Sequence, residues 1–214
     1  MERISKHYDD TYSSWEEPVG EFGGWASVGK FSSYIRENDD VLDFGCGCGY
    51  LLSNVKCRTR VGVEVSPFAA KKAREMGIEI YRSVAEVPNE YVDVIISDNA
   101  LEHTLHPLLE LQELFLKLRK GGKIVFVVPC ESISMGYRPK DINHHLFSWS
   151  PMCLGNLFTE AGFTVIESRP YIHKWPPKYQ LIARFGGKTV FHILCRIYGR
   201  IARSWFQVRV VAGK

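Results

Sequence analysis

Val41-Leu42-Asp43-Phe44-Gly45-Cys46-Gly47-Cys48-Gly49-Tyr50 is an apolar run that breaks into three alternating glycines. Val41, Leu42 and Phe44 read as a short buried strand, and the glycines as a turn whose main chain must come close to something. Residues 50–55 read as the first turns of a helix, so the free N–H groups at its start face whatever sits in the loop. Spacing selects the ligand. A dinucleotide fingerprint counted from Gly45 needs its third glycine at position 50, and that position is Tyr50. The loop therefore fails the nicotinamide pattern. Asp43, two residues before Gly45, suits a ligand that carries positive charge better than a pyrophosphate.

Residues 60–65 read as the next strand. Glu64 at its end follows Gly45 by 19 residues, close to the spacing at which an acidic side chain takes ribose hydroxyls. Ser66-Pro67 then supplies an N-cap and a proline at the first helical position. On these residues the chain resembles the class I (Rossmann-like) S-adenosylmethionine-dependent methyltransferases. The resemblance implies a mostly parallel, seven-stranded α/β sheet flanked by helices, with its last strand antiparallel. It implies S-adenosylmethionine as cofactor. Asp43, Gly45, Cys46, Gly47 and Gly49 would lie against its methionine portion, Glu64 and Val65 at its ribose, Ser83 and Val84 at its adenine, and Asp98 and Asn99 beside the methionine. Ser83 stands where relatives usually carry an acidic residue. The alternative for the loop alone is a tight strand-to-helix turn without a ligand.

The 214 residues suit one domain with a full core, and 45% hydrophobic with 24% charged is ordinary for a soluble protein. No apolar run approaches the ~18 residues of a membrane span, and Met1-Glu2-Arg3-Ile4-Ser5-Lys6 leads into no signal-like segment. The six cysteines do not pair by spacing and read as reduced thiols of a cytoplasmic protein. Cys46, Cys48 and Cys57 lack a partner pair at finger spacing, so zinc is discounted; Asp98, Asn99, Asp141 and the histidines offer O and N ligands for another metal, but no spacing argues for one and none is expected. Charge is unevenly placed. Residues 1–167 hold 17 basic and 24 acidic residues, whereas the last 47 hold ten basic and none acidic. An anionic partner suits that segment.

Within the single domain, residues 1–38 read as a helical cap, 39–130 as the cofactor-binding core, and 131–214 as substrate-side elements with the final strands. Tyr8, Tyr12, Trp15, Phe22, Trp25, Phe31 and Tyr34 stud the cap, with helices expected over 3–14 and 25–36 and a break at Pro18 and residues 20–24. Further strands are expected at 78–81, 91–97, 124–128, 163–167 and 205–211. Helices fall between them, near 67–76 and 107–118, with 118–123 as a turn. Strands alternating with helices mean parallel pairing, which gathers residues 45–49, Glu64, 97–99 and 129–131 at the strands' carboxyl ends. Val190, Ile193, Leu194, Ile197, Tyr198 and Ile201 form an apolar helical stripe opposite Arg196, Arg200 and Arg203; it reads as core-facing, with membrane contact the less favoured alternative.

Methyl transfer to a hydroxyl or amine needs a group that removes a proton, and histidine titrates near neutral pH. His103, His106, His144 and His145 lie near strand ends, with His144 and His145 favoured as the base because their loop follows the fifth strand. Asp98-Asn99-Ala100-Leu101 lacks the two prolines and aromatic that mark methylation of nucleic-acid bases or glutamine amides. Leu101-Glu102-His103 and His145-Leu146-Phe147-Ser148 resemble small-molecule methyltransferases of ubiquinone-biosynthesis-like and glycan-cluster type. That resemblance implies a sugar, nucleotide-sugar or quinone-like hydroxyl as acceptor. The alternatives are methylation of RNA or another anionic polymer, and a catalytically silent binding protein.

Overall fold

A computed structural model describes residues 20–132, 134–139, 141, 143–203 and 206–214. Seven strands form one sheet: β1 Asp40–Phe44, β2 Thr59–Val63, β3 Glu79–Tyr81, β4 Val92–Asp98, β5 Leu118–Cys130, β6 Thr164–Tyr171 and β7 Phe206–Gly213. Their order is β3-β2-β1-β4-β5-β7-β6. β1 pairs parallel with β2 and β4, and β4 with β5, while β7 runs antiparallel between β5 and β6. The mostly parallel sheet with an antiparallel last strand is therefore present.

Among the described residues six α-helices accompany the sheet: α1 (residues 20–27), α2 Tyr50–Ser53, α3 Pro67–Glu75, α4 Pro107–Lys117, α5 Pro151–Glu160 and α6 Tyr179–Ala202. Alternation within the central strands divides the core into two layers. Leu42, Phe44, Ile124, Phe126 and Val128 face Leu111 and Leu114 of α4 and Leu154 and Phe158 of α5. Val41, Val125 and Val127 face Leu51 and Leu52 of α2 and Ala73 of α3 on the other side. Burial on both faces explains why these strands read as nearly unbroken apolar runs. The chain leaves β3 at one edge and returns as β4 beside β1, so the connection reverses between β1 and β4. Loops after these two strands diverge there and open a crevice.

Several elements differ from the sequence reading. Residues 20–24 are helical instead of broken, because Gly20 and Gly24 let α1 lie directly on Tyr50; a Cβ at Gly24 would stand 2.4 Å from the Tyr50 carbonyl. The expected 25–36 helix continues α1 only to 27 and then becomes two short 3-10 turns, Val28–Lys30 and Ser32–Tyr34. The helix at 50–55 is a single turn. Residues 118–123 belong to β5, whose pairing with β4 slips in register between Val92 and Val94. β6 runs on to Tyr171 through Pro170, which an edge strand tolerates.

The largest difference is in α6. Its buried residues are Phe191, Cys195 and Gly199, spaced four apart, while Val190, Ile193, Ile197 and Ile201 of the expected core stripe are exposed. The buried face packs with Ala26, Phe22 and Trp25 of α1, so α6 covers the cap and not the sheet. The helix expected at 3–14, and Trp205, lie outside the described residues. All six cysteines are free. Among the described residues no helix is long and apolar enough to cross a membrane.

Candidate active site

At the carboxyl ends of β1 and β4 two cavities meet beneath the glycine loop. One, of about 420 Å³, is lined among others by Lys30, Asp43, Asp98, His103, His145 and His173. The other, of about 500 Å³, is lined among others by Glu64, Val65, Ser66, Ser83, Val84 and His106. Gly45, Gly47, Asp98, Asn99 and His103 line both. A two-part ligand running beneath the loop fits this shape.

The loop is held by β2. Gly45 and Cys46 donate their N–H groups to the Val63 carbonyl at 2.9 and 3.2 Å. Glu64 reinforces this: one carboxylate oxygen accepts from Gly47 N–H at 2.9 Å and the other from Ser66 N–H at 2.7 Å. Gly47 has φ +54 and nothing within 4 Å of where a Cβ would stand, so its main chain is open to the cleft. Gly49 serves packing instead. It lines neither cavity, and a Cβ there would stand 2.5 Å from Ile78 Cδ1 and 3.2 Å from Ala73 Cβ, so the loop packs closely on the end of α3 and the residue before β3 at this point. Cys46 lines the first cavity while also belonging to the core layer under the loop.

Asp43 is 2% exposed, and its Oδ1 has no hydrogen-bond partner. Burial, with the Asp98 and Glu64 carboxylates nearby, pushes its carboxyl well above the usual range. A buried carboxylate oxygen left unpaired at the wall of a cavity is costly unless a cation or donor meets it. The ammonium and sulfonium of S-adenosylmethionine satisfy that requirement, so the residues present fit this cofactor. Asp98 is already matched. Both its oxygens accept from Lys30 Nζ at 2.7 Å, and Asn99 Nδ2 donates to it at 3.0 Å. Asn99 takes φ +58 and accepts from Gln207 Nε2 at 2.9 Å.

The histidines divide. His145 lines the first cavity, with Nδ1 2.7 Å from Glu131 Oε1, and its ring lies 5.0 Å from that of His103. The main chain pins this arrangement, since Leu146 and Phe147 donate to the Glu102 carbonyl at 2.9 and 3.2 Å. His144 is exposed at φ +47 and lines neither cavity, so of the favoured pair only His145 reaches the site. The left-handed turn of the main chain at His144 separates the two. His106 lines the second cavity only. Glu102 is fully buried, with neither carboxylate oxygen hydrogen-bonded, and burial pushes its carboxyl up to about 8. Glu102, His103 and His145 together offer ligand atoms within 4.8 Å of one another, the composition of a metal-ligand set.

Lys30, His173 and Gln207 are among the lining residues that escaped the sequence reading. Lys30 comes from the cap, His173 follows β6, and Gln207 opens β7. The last two had a usable signal, because the end of a parallel strand and the start of an antiparallel one share the sheet's carboxyl edge. His173 Nε2 lies 2.9 Å from His192 Nδ1 of α6, and burial, with Lys30, His192 and Arg196, drives its pKa down to about 3.

Residues 24–168 match the family model for a methyltransferase domain. A probable S-adenosylmethionine-dependent methyltransferase of Mycolicibacterium smegmatis is 29% identical over 160 residues, covering 71% of this chain and 62% of that protein. An uncharacterized methyltransferase of Schizosaccharomyces pombe is 37% identical over 76 residues, covering 31% of this chain and 29% of that protein. The chain thus spans less than two thirds of either relative. The crystal structure of a Thermotoga maritima methyltransferase, described as a possible histamine N-methyltransferase, superposes with a TM-score of 0.70 at 16% identity, over 99% of this chain and 98% of that one. That likeness is one of fold. With two thirds of its length matched by the family model, the chain belongs to the methyltransferase-domain family.

Proposed function

We propose that this protein is an S-adenosylmethionine-dependent methyltransferase acting on a hydroxyl of a small acceptor, of sugar, nucleotide-sugar or quinone-like type. The single observation that carries the reading is the buried, unpartnered Asp43 carboxylate oxygen at the wall of the first cavity. Asp43 and the main chain of residues 45–47 would hold the cofactor's methionine portion. Glu64 and Val65 would hold the ribose, and Ser83 and Val84 the adenine. Asp98 and Asn99 close the floor between the two parts. The cofactor, once bound, supplies an electrophilic methyl on a sulfonium.

The protein's share is to orient the acceptor and move one proton. His145 is the base. A carboxylate only accepts, so Glu131 fixes the proton on Nδ1 and leaves the Nε2 lone pair for the acceptor hydroxyl. His103 packs against the His145 ring and limits its rotation. The acceptor enters the first cavity, where Lys174 supplies positive charge suited to an anionic molecule, the charge of Lys30 being matched by Asp98. Reduced cysteines agree with a cytoplasmic setting.

The test is calorimetric titration of S-adenosylmethionine and S-adenosylhomocysteine into wild type and Glu64→Gln, with NADH as control, followed by methyl transfer to a panel led by sugar nucleotides. Binding of both adenosyl ligands that weakens in the variant, with no NADH binding, is expected. Absence of adenosyl-ligand binding would sink the reading.

A further inference from the structure

We infer that α6 is a docking surface for an anionic lipid bilayer, lying in the plane of the membrane interface. The helix is kinked at Gly187, where φ is +67 and ψ −175. Before the kink, Leu181 and Phe185 are exposed, Phe185 at 81%. Beyond it, Val190, Ile193, Ile197 and Ile201 form an exposed row, Ile201 at 74%. At about 100° per residue this row lies on the side of the helix opposite Phe191, Cys195 and Gly199, the face buried against the cap. The same turn places Arg196, Arg200 and Arg203 along one edge of the row. The helix is fully occupied on its inner side and displays branched aliphatics on its outer side.

Charge identifies the occupant. No acidic residue occurs from Ser168 to the last residue, and Lys178, Arg184, Lys188, Arg196, Arg200 and Arg203 lie on α6 or at its caps. Aliphatic side chains inserted just below lipid headgroups, with arginines beside them at phosphate level, satisfy both features at once. RNA would engage the arginines but gain nothing from four exposed β-branched residues. The surface also adjoins the cleft. Lys174 and Trp175, a few residues before α6, line the first cavity, and α6 packs on α1, which covers it. A bilayer bound here sits beside the entrance used by the acceptor. Since no described helix can span a membrane, the attachment is peripheral.

The test uses the full chain without cofactor, so it is independent of the methyltransferase reading. Flotation is measured with phosphatidylcholine vesicles and with vesicles carrying one third phosphatidylglycerol. The proteins are wild type, Phe185→Ser/Ile193→Ser/Ile201→Ser, and Arg196→Gln/Arg200→Gln, each checked for unchanged circular dichroism and melting. Wild type is expected to float with the anionic vesicles and to be released by salt. The arginine variant should bind about fivefold more weakly per charge removed, and the aliphatic variant more than tenfold. Three outcomes would overturn the inference: no flotation of wild type with anionic vesicles, equal flotation of all three proteins, or a wild-type dimer by light scattering that the aliphatic variant dissociates while vesicles do not. The first of these outcomes, accompanied by salt-sensitive binding to a single-stranded RNA, would mark a nucleic-acid surface instead.

Discussion

Lys30 places its Nζ 2.7 Å from both carboxylate oxygens of Asp98, joining the cap to the end of β4 across the floor of the cleft. Lys30 is 7% exposed, so the pair is nearly dry. Removing one partner of such a pair strands the other charge, whereas removing both does not. Lys30→Met should therefore cost about 3 kcal/mol in urea unfolding, and Lys30→Met/Asp98→Asn should recover most of it. Additive losses in the double variant would show that the pair contributes nothing as a pair.

Asp43 is the converse case, a buried carboxylate without a counter-ion. Its folded pKa is raised, so the folded state holds a proton that the unfolded chain releases, and stability falls as pH rises above about 4. Asp43→Asn removes that dependence and should leave the fold as stable at pH 7 or more so. The same change deletes a charge-assisted acceptor worth about 2 kcal/mol, so S-adenosylhomocysteine should bind about thirtyfold more weakly. Stability and affinity moving in opposite directions is the signature to look for by melting and calorimetry.

What could be read from sequence was whatever the chain encodes locally. The glycine loop, Asp43 and Glu64 sit within 22 residues of one another, and each is tied to a strand end whose apolar run announces it. Lys30, His173 and Gln207 come from three distant segments and meet only because the cap folds over the carboxyl edge. Pattern also failed on α6, where apolar residues occupy both faces and periodicity alone cannot say which is covered. Packing decided it: Cys195 and Gly199 are small enough to let the helix approach Ile172 and Lys174, whose atoms would stand 2.9 and 3.3 Å from a Cβ at Gly199. His144 and His145 were inseparable in sequence because only the backbone turn at φ +47 tells them apart.

His173 gives the fold an acid limit. Its folded pKa of about 3 lies below the ordinary value of 6.5, so between those pH values the unfolded chain binds the extra proton. Stability is then full at neutral pH and falls as pH drops through that window, by at most about 1.4 kcal/mol per unit for one proton. His173→Gln keeps a hydrogen-bonding group toward His192 without the titration. Between pH 7 and pH 5 wild type should lose about 2 kcal/mol more than this variant in urea unfolding. Equal losses would place the acid sensitivity elsewhere.

Base catalysis by His145 makes separate demands on activity. His145→Ala should lower kcat by about 10² to 10⁴ with the affinity for S-adenosylhomocysteine unchanged. Glu131→Gln leaves the ring in place but no longer dictates which nitrogen carries the proton, so a smaller loss, of roughly tenfold, should fall on kcat with KM little altered. Chelation discriminates a further possibility held in the same residues. If His145 acts as a base, prolonged EDTA treatment leaves the rate untouched. Loss of activity that manganese or zinc restores would instead assign Glu102, His103 and His145 to a metal ion, and with it the activation of the acceptor oxygen.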